Sequence, residues 1–225
     1  MTATTSRPTP DVNLDAIRAS LSTAVLSDAL DAIGLRSQCL GTGLLLLEPG
    51  DMIAGYAFPV QIERVSQAPE RPFLGLIAAL DAIHPDEVFI TPTGRARDIA
   101  VWGELLSTAC LRRGAAGAIT DGLIRDTKSI RQLGFSVASA GTIPYDSMGR
   151  HEIVAHRVPC TIDGVVITPG DLVVADMDGV VVVPRSVADE VVAAALTKRA
   201  SEREFRAAVA AGTSAAEAFA TYEVL

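Results

Sequence analysis

The stretch AAGAITDGLIRDTKSIRQLGF, residues 115–135, decides how the chain is read. Its apolar segment GAIT, residues 117–120, has the length of a short buried strand, and Asp121-Gly122 marks the turn after it. DTKSIRQ then reads as the start of a helix. Between strand and helix stand Arg125 and Asp126. Adjacent residues point in different directions, so the dipeptide is a poor structural ion pair. It suits the rim of a pocket, where one cation and one anion face different parts of a bound ligand.

Outward from this stretch the chain alternates α and β. Residues 14–33 read as helical, with Asn13 as N-cap, apolar residues at helical spacing, Gly34 as the stop, and Ser22 and Ser27 as candidate breaks. Residues 55–63 alternate like a strand, 73–83 read as a helix, 87–92 as a strand and 97–113 as a helix ending at Gly114. After residue 150 the pattern becomes short strands joined by Asp-Gly and Pro-Gly turns. An alanine-rich helix over 186–211 and a short terminal helix follow. Residues 1–13, rich in Thr, Ser and Pro, read as a loose tail, and 14–225 as a single α/β domain with layered sheets and outer helices, its C-terminal helices starting near 186.

Composition removes several function classes. Of 225 residues, 49% are apolar, so the chain folds around a core. The net charge of −8 argues against nucleic acid, which needs a basic face. The N-terminus lacks the apolar region of a secretory signal, and GLLLLEPG is too short to span a membrane. Cys39, Cys110 and Cys160, widely spaced and odd in number, read as reduced, mostly buried thiols of a cytoplasmic protein.

HEIVAH resembles the zinc motif H-E-x-x-H but has one residue too many. His151 and His156 would lie about 140° apart round a helix, and the surroundings read as β. Dinucleotide, P-loop and nucleophile-elbow glycine patterns are absent, and nothing suits S-adenosylmethionine. Asp176 and Asp178 are either a second metal pair or, on the better reading, part of a hairpin turn. Gly103 inside an apparent helix is either a close-packing position or the true helix start. In the second case the N–H groups of Glu104, Leu105 and Leu106 face an anion site.

The spacing Glu104–x20–Arg125-Asp126, together with LSDALDAIG (26–34), WGELL (102–106), GAAGAITDGLIRD (114–126), GTIPYDSMGR (141–150) and PGDLVVADMDGVVVVP (169–184), resembles the RraA-like family. That family includes metal-dependent pyruvate aldolases acting on 4-hydroxy-4-methyl-2-oxoglutarate and 4-carboxy-4-hydroxy-2-oxoadipate. The resemblance implies a layered α/β/β/α domain of the swivelling β/β/α type with C-terminal helices. It implies a lyase that cleaves or decarboxylates a 2-oxo acid, oxaloacetate included, through a pyruvate enolate with Mg²⁺ or Mn²⁺. It also implies roles: Asp126 as metal ligand, Glu104 as acceptor for water on the metal, Arg125 for the substrate's ketone or carboxylate, and Gly103, Leu105 and Leu106 for the remaining carboxylate oxygen. Subunits of such aldolases form trimers or hexamers with shared sites, and Glu202, or Glu204 beside it, would reach the neighbour's metal through water. Ser129 replaces an acid common in these aldolases, and Tyr145 an arginine, both at the pocket rim. The alternative that the resemblance carries is a regulator that binds a ribonuclease; such members tend to lack the acid at Glu104. A lysine Schiff base has only Lys128 and Lys198 to draw on, both in polar stretches.

Overall fold

The computed structural model describes residues 12–224, so the tail expected at 1–13 lies, up to residue 11, outside the described residues. The elements run α1 (Leu14–Ser20), α2 (Thr23–Ala32), β1 (Leu45–Leu46), β2 (Ile53–Arg64), α3 (Leu74–Ala82), β3 (Glu87–Thr91), β4 (Ala100–Trp102), α4 (Glu104–Arg112), β5 (Gly117–Thr120), β6 (Leu123–Ile124), α5 (Thr127–Leu133), β7 (Val137–Ser139), β8 (His151–His156), β9 (Cys160–Ile162), β10 (Val165–Ile167), β11 (Leu172–Asp176), β12 (Gly179–Val183), a 3₁₀ turn (Arg185–Val187), α6 (Ala188–Ala210) and α7 (Ala215–Tyr222). This is the mixed α/β architecture expected, with helices at the C-terminal end.

The main sheet has the order β1-β7-β5-β3-β2-β11-β12, and β8 pairs with the far half of β2. Strands β2, β3, β5 and β7 are parallel, and the flanking pairs are antiparallel. The sheet curls until β1 lies against β11, so it nearly closes. Strand alternation then sorts the core into an inside and two outside layers. Val88, Ile90, Val173, Ala175, Val180 and Val182 fill the inside. Leu172, Val174, Val181 and Val183 face α1, α2 and α6. Phe58, Phe89, Ala118 and Val137 face outward into the layer that holds Trp102, Cys110 and Ile130. With both faces covered, the strands read as continuous apolar runs.

Of the two candidate breaks in residues 14–33, Ser22 is the one observed: its backbone is extended and its hydroxyl accepts the N–H of Val25, which starts α2, whereas Ser27 stays inside the helix. One expectation needs correction. Residues 97–113 are not one helix, because Ala100–Trp102 is a strand paired in parallel with Leu123–Ile124, and the helix begins only at Glu104. Asp176 settles as structural. Its carboxylate accepts the N–H and hydroxyl of Thr23 at 2.8 and 2.6 Å and the N–H of Asp178 at 2.9 Å, so it caps α2 and shapes the β11–β12 turn. Among the described residues no helix is long and apolar enough to cross a membrane.

Candidate functional site

The β4–β6 ribbon stands outside the main sheet and places the site. Trp102 anchors it, with its ring 5.1 Å from Phe89 and 6.2 Å from Phe135. Its indole N–H donates to the Ser107 hydroxyl at 2.8 Å, which donates to the Gly103 carbonyl at 3.0 Å. The Trp102 carbonyl accepts the N–H of Arg125 at 2.9 Å. This chain of bonds sets the start of α4 against the Arg125-Asp126 dipeptide.

Asp126 sits in the left-handed region, φ 58° and ψ 30°, which aspartate tolerates better than most residues. It precedes α5 but its side chain does not cap that helix. The carboxylate turns to the N-terminus of α4, where its Oδ2 lies 3.4 Å from the Glu104 N–H. Of the two readings of Gly103, the helix start is the one observed, and close packing operates as well. A Cβ there would sit 2.8 Å from Asp126 Oδ2 and 3.4 Å from Arg125 Cγ. The Arg125 guanidinium lies between Asp126 and Asp146, 3.7 Å from each. Those are loose pairings that leave N–H groups for an incoming anion.

A cleft of about 410 Å³ opens here, lined by Gly103, Leu105, Leu106, Arg125 and Asp126. Phe73, Leu76, Ile77 and Leu80 of the α3 segment form its apolar wall, and Asp146 and Ser147 close another side. Asp146 and Ser147 are site residues that the sequence does not single out; they stand in the GTIPYDSMGR segment, and Asp146 meets Arg125 only through the fold. Glu104 is placed differently from the rest. Its carboxylate accepts the Thr108 hydroxyl at 2.9 Å within α4 and is not among the cleft-lining groups. Ser129 donates its N–H to the Asp126 carbonyl, and Tyr145 is exposed at the rim with the Arg150 guanidinium 5.7 Å over its ring.

Glu202 is not brought to this cleft within one chain. It lies on α6, which packs on α2 and α7 in the other helical layer, and it pairs with Arg199 at 3.4 Å and Arg206 at 4.0 Å. Glu204, on the same helix, is exposed. Of the lysines, Lys128 is exposed on α5 and Lys198 pairs with Asp28 at 2.6 Å. All three cysteines are free, and burial pushes the thiols of Cys110 and Cys160 up to about 12, far from the thiolate a nucleophile needs.

The metal donors are few. Among the described residues no three Asp, Glu, His or Cys side chains gather into a ligand set. Zinc, which wants three or four protein ligands, does not fit. One outward-turned carboxylate, Asp126, fits Mg²⁺ or Mn²⁺, which keep several waters and take the rest of their oxygens from a ligand.

The family model described as "RraA-like: Aldolase/RraA" matches residues 23–182. "Protein DlpA" of Legionella pneumophila is 31% identical over 205 residues, 88% of this chain, and the chain spans 32% of the length of that relative. "Putative 4-hydroxy-4-methyl-2-oxoglutarate aldolase" of Halalkalibacterium halodurans is 29% identical over 89% of this chain and 90% of its own length. Streptomyces coelicolor RraAS2, described as an unusual member of the RNase ES inhibitor RraA protein family, superposes with a TM-score of 0.75 at 32% identity, covering 86% of this chain and 94% of that one.

Proposed function

The chain belongs to the RraA-like family, and from that premise we propose a divalent-metal-dependent lyase that cleaves a 2-oxo acid through a pyruvate enolate. Candidate substrates are 4-hydroxy-4-methyl-2-oxoglutarate, by aldol cleavage, and oxaloacetate, by decarboxylation. The observation that carries this reading is the meeting of Arg125, Asp126 and the α4 N-terminus in one cleft with an apolar wall.

Asp126 would hold Mg²⁺ or Mn²⁺ directly, with Glu104 of the same chain and Glu202 of a neighbouring subunit acting through water. Such an ion, when bound, supplies Lewis-acid stabilisation of the charge that develops on the ketone oxygen. Arg125 does the rest of the electrostatic work. Its guanidinium is held only loosely by Asp126 and Asp146, so it turns to the substrate's carboxylate or ketone and stabilises the enolate as it forms. The N–H groups of Leu105 and Leu106 have no partner inside α4 and take a carboxylate oxygen at the positive end of the helix. The wall of α3 offers apolar contact to the carbon chain of the substrate. For Glu104 the role requires its carboxylate to leave Thr108 and turn into the cleft.

The assembly proposed is a cytoplasmic homotrimer or hexamer. Apolar side chains around the mouth support a partner there, since Leu105 is 74% exposed and Ile77 52%. The likeness to RraAS2 favours a second reading, a regulator that binds a ribonuclease; the acid at Glu104 speaks for the enzyme. A panel of 2-oxo acids assayed for pyruvate release separates the two. EDTA should abolish turnover and Mg²⁺ or Mn²⁺ restore it. Inactivation by borohydride in the presence of pyruvate would sink the metal route, because it traps a lysine Schiff base.

A further inference from the structure

Aldol cleavage needs a group that the roles given above leave out. The C3–C4 bond of a 4-hydroxy-2-oxo acid breaks only as the C4 hydroxyl gives up its proton, so a base must stand beside that carbon. Three titratable side chains line the cleft: Arg125, Asp126 and Asp146. A guanidinium does not deprotonate in proteins and cannot be the base. In the lyase reading Asp126 is committed to the cation. Asp146 remains, and it is well placed. Its Oδ1 lies 3.7 Å from Arg125 Nη2, while Asp126 Oδ2 lies 3.7 Å from Nε of the same guanidinium. The N–H of Met148 donates to Asp146 Oδ1 at 3.3 Å. Both contacts fall on Oδ1 and hold the carboxylate in the loop, which leaves Oδ2 to accept a proton. The side chain is 41% exposed, so a ligand in the cleft can reach it.

We propose that Asp146 is the catalytic residue that moves the proton in aldol cleavage; this rests on the lyase reading. In a 4-hydroxy-2-oxo acid, C4 lies next but one to the ketone carbon. A substrate whose ketone oxygen meets Arg125 therefore brings its C4 hydroxyl to the carboxylate beside that guanidinium. Asp146 takes the hydroxyl proton and the C4 carbonyl forms. The C3–C4 electron pair passes into the enolate, whose charge sits on the ketone oxygen next to Arg125. Once the carbonyl product leaves, the Asp146 carboxyl returns the same proton to C3 and pyruvate results. No oxidant, reductant or further reactant is consumed. Decarboxylation of oxaloacetate removes no hydroxyl proton, and its enolate takes the C3 proton from water. Asp146 thus serves one of the two candidate reactions and not the other.

The test compares both reactions in wild type and Asp146→Asn. The variant should lower kcat for cleavage of 4-hydroxy-4-methyl-2-oxoglutarate, relative to kcat for oxaloacetate decarboxylation, by about 10²–10⁴-fold. Calorimetry with pyruvate and Mg²⁺ should give the same affinity for both proteins, which also shows that the variant is folded. Equal losses in the two reactions, or weaker pyruvate binding, would mean that Asp146 only positions Arg125 and would overturn the proposal. So would cleavage at the wild-type rate. A wild type that decarboxylates but does not cleave removes the proposal and leaves the lyase; a wild type inert toward both substrates removes the lyase reading itself and the proposal with it.

Discussion

Gly103 has extended backbone that any residue adopts, so the glycine is there for space: a methyl group would press on Asp126 Oδ2 at 2.8 Å. Gly103→Ala should therefore displace the carboxylate without unfolding the chain. We expect kcat/KM to fall about 100-fold, as for a misplacement near 1 Å, with an unchanged circular-dichroism spectrum. Asp126→Asn and Arg125→Ala should each lower kcat by about 10²–10³ and stay folded, since both side chains are partly exposed; unfolding of either at ordinary temperature would mark the pair as structural. His151 gives a pH prediction. Burial first, then Arg64, hold its pKa below the ordinary value, with Asp98 pulling the other way, and burial and Arg157 do the same to His156. A depressed histidine pKa means that the unfolded chain takes up the proton first. Stability from these two residues is complete above about pH 6.5 and declines as pH falls below it, until the folded-state values are passed. Urea midpoints should drop between pH 7 and 5, and less steeply in His151→Gln; a flat profile in wild type would refute the assignment.

Among the elements, β3 is joined to the residue just after β8 by an ion pair that the sequence does not advertise. Glu87 is 4% exposed; its carboxylate takes two N–H groups of Arg157, at 2.6 and 3.0 Å, and the N–H of His84 at 2.7 Å. Arg157→Met leaves that carboxylate buried and uncompensated, which should cost about 3 kcal/mol in a denaturation experiment; Glu87→Gln combined with it should recover part of the loss. Nothing local announces such a partner, because residues 87 and 157 meet only through the fold. Local signals in the chain are kept by the fold. GAIT has the apolar run and the Asp-Gly stop of a strand, Asn13 caps α1 through its side chain, and Gly34 follows α2 at φ 86°. The 97–113 segment misled because Ala, Val and Trp satisfy a helical period as well as a strand's. Its choice was made by Trp102 packing between Phe89 and Phe135 and by pairing with residues some twenty positions later. Arg125 and Asp126 were visible as an odd dipeptide, whereas the rotation of Glu104 toward Thr108 depends on side-chain torsions that no pattern encodes.

At the scale of the molecule, Glu202 and the cleft occupy different helical layers. If they cooperate, they do so across subunits. Mixing inactive Asp126→Asn chains with inactive Glu202→Gln chains should regenerate activity, because some interfaces then hold both intact residues. A monomer by light scattering, or verified exchange without recovery, would remove the shared site. The position of the β4–β6 ribbon has a further consequence. Its hydrogen-bonded ladder is separate from that of the nearly closed sheet, so the sheet's ladder does not depend on what the ribbon carries. Rim positions such as Ser129 and Tyr145 can drift in sequence without loosening the frame. A lineage built on this plan can exchange one substrate for another, or surrender chemistry for a protein partner, while keeping the same barrel.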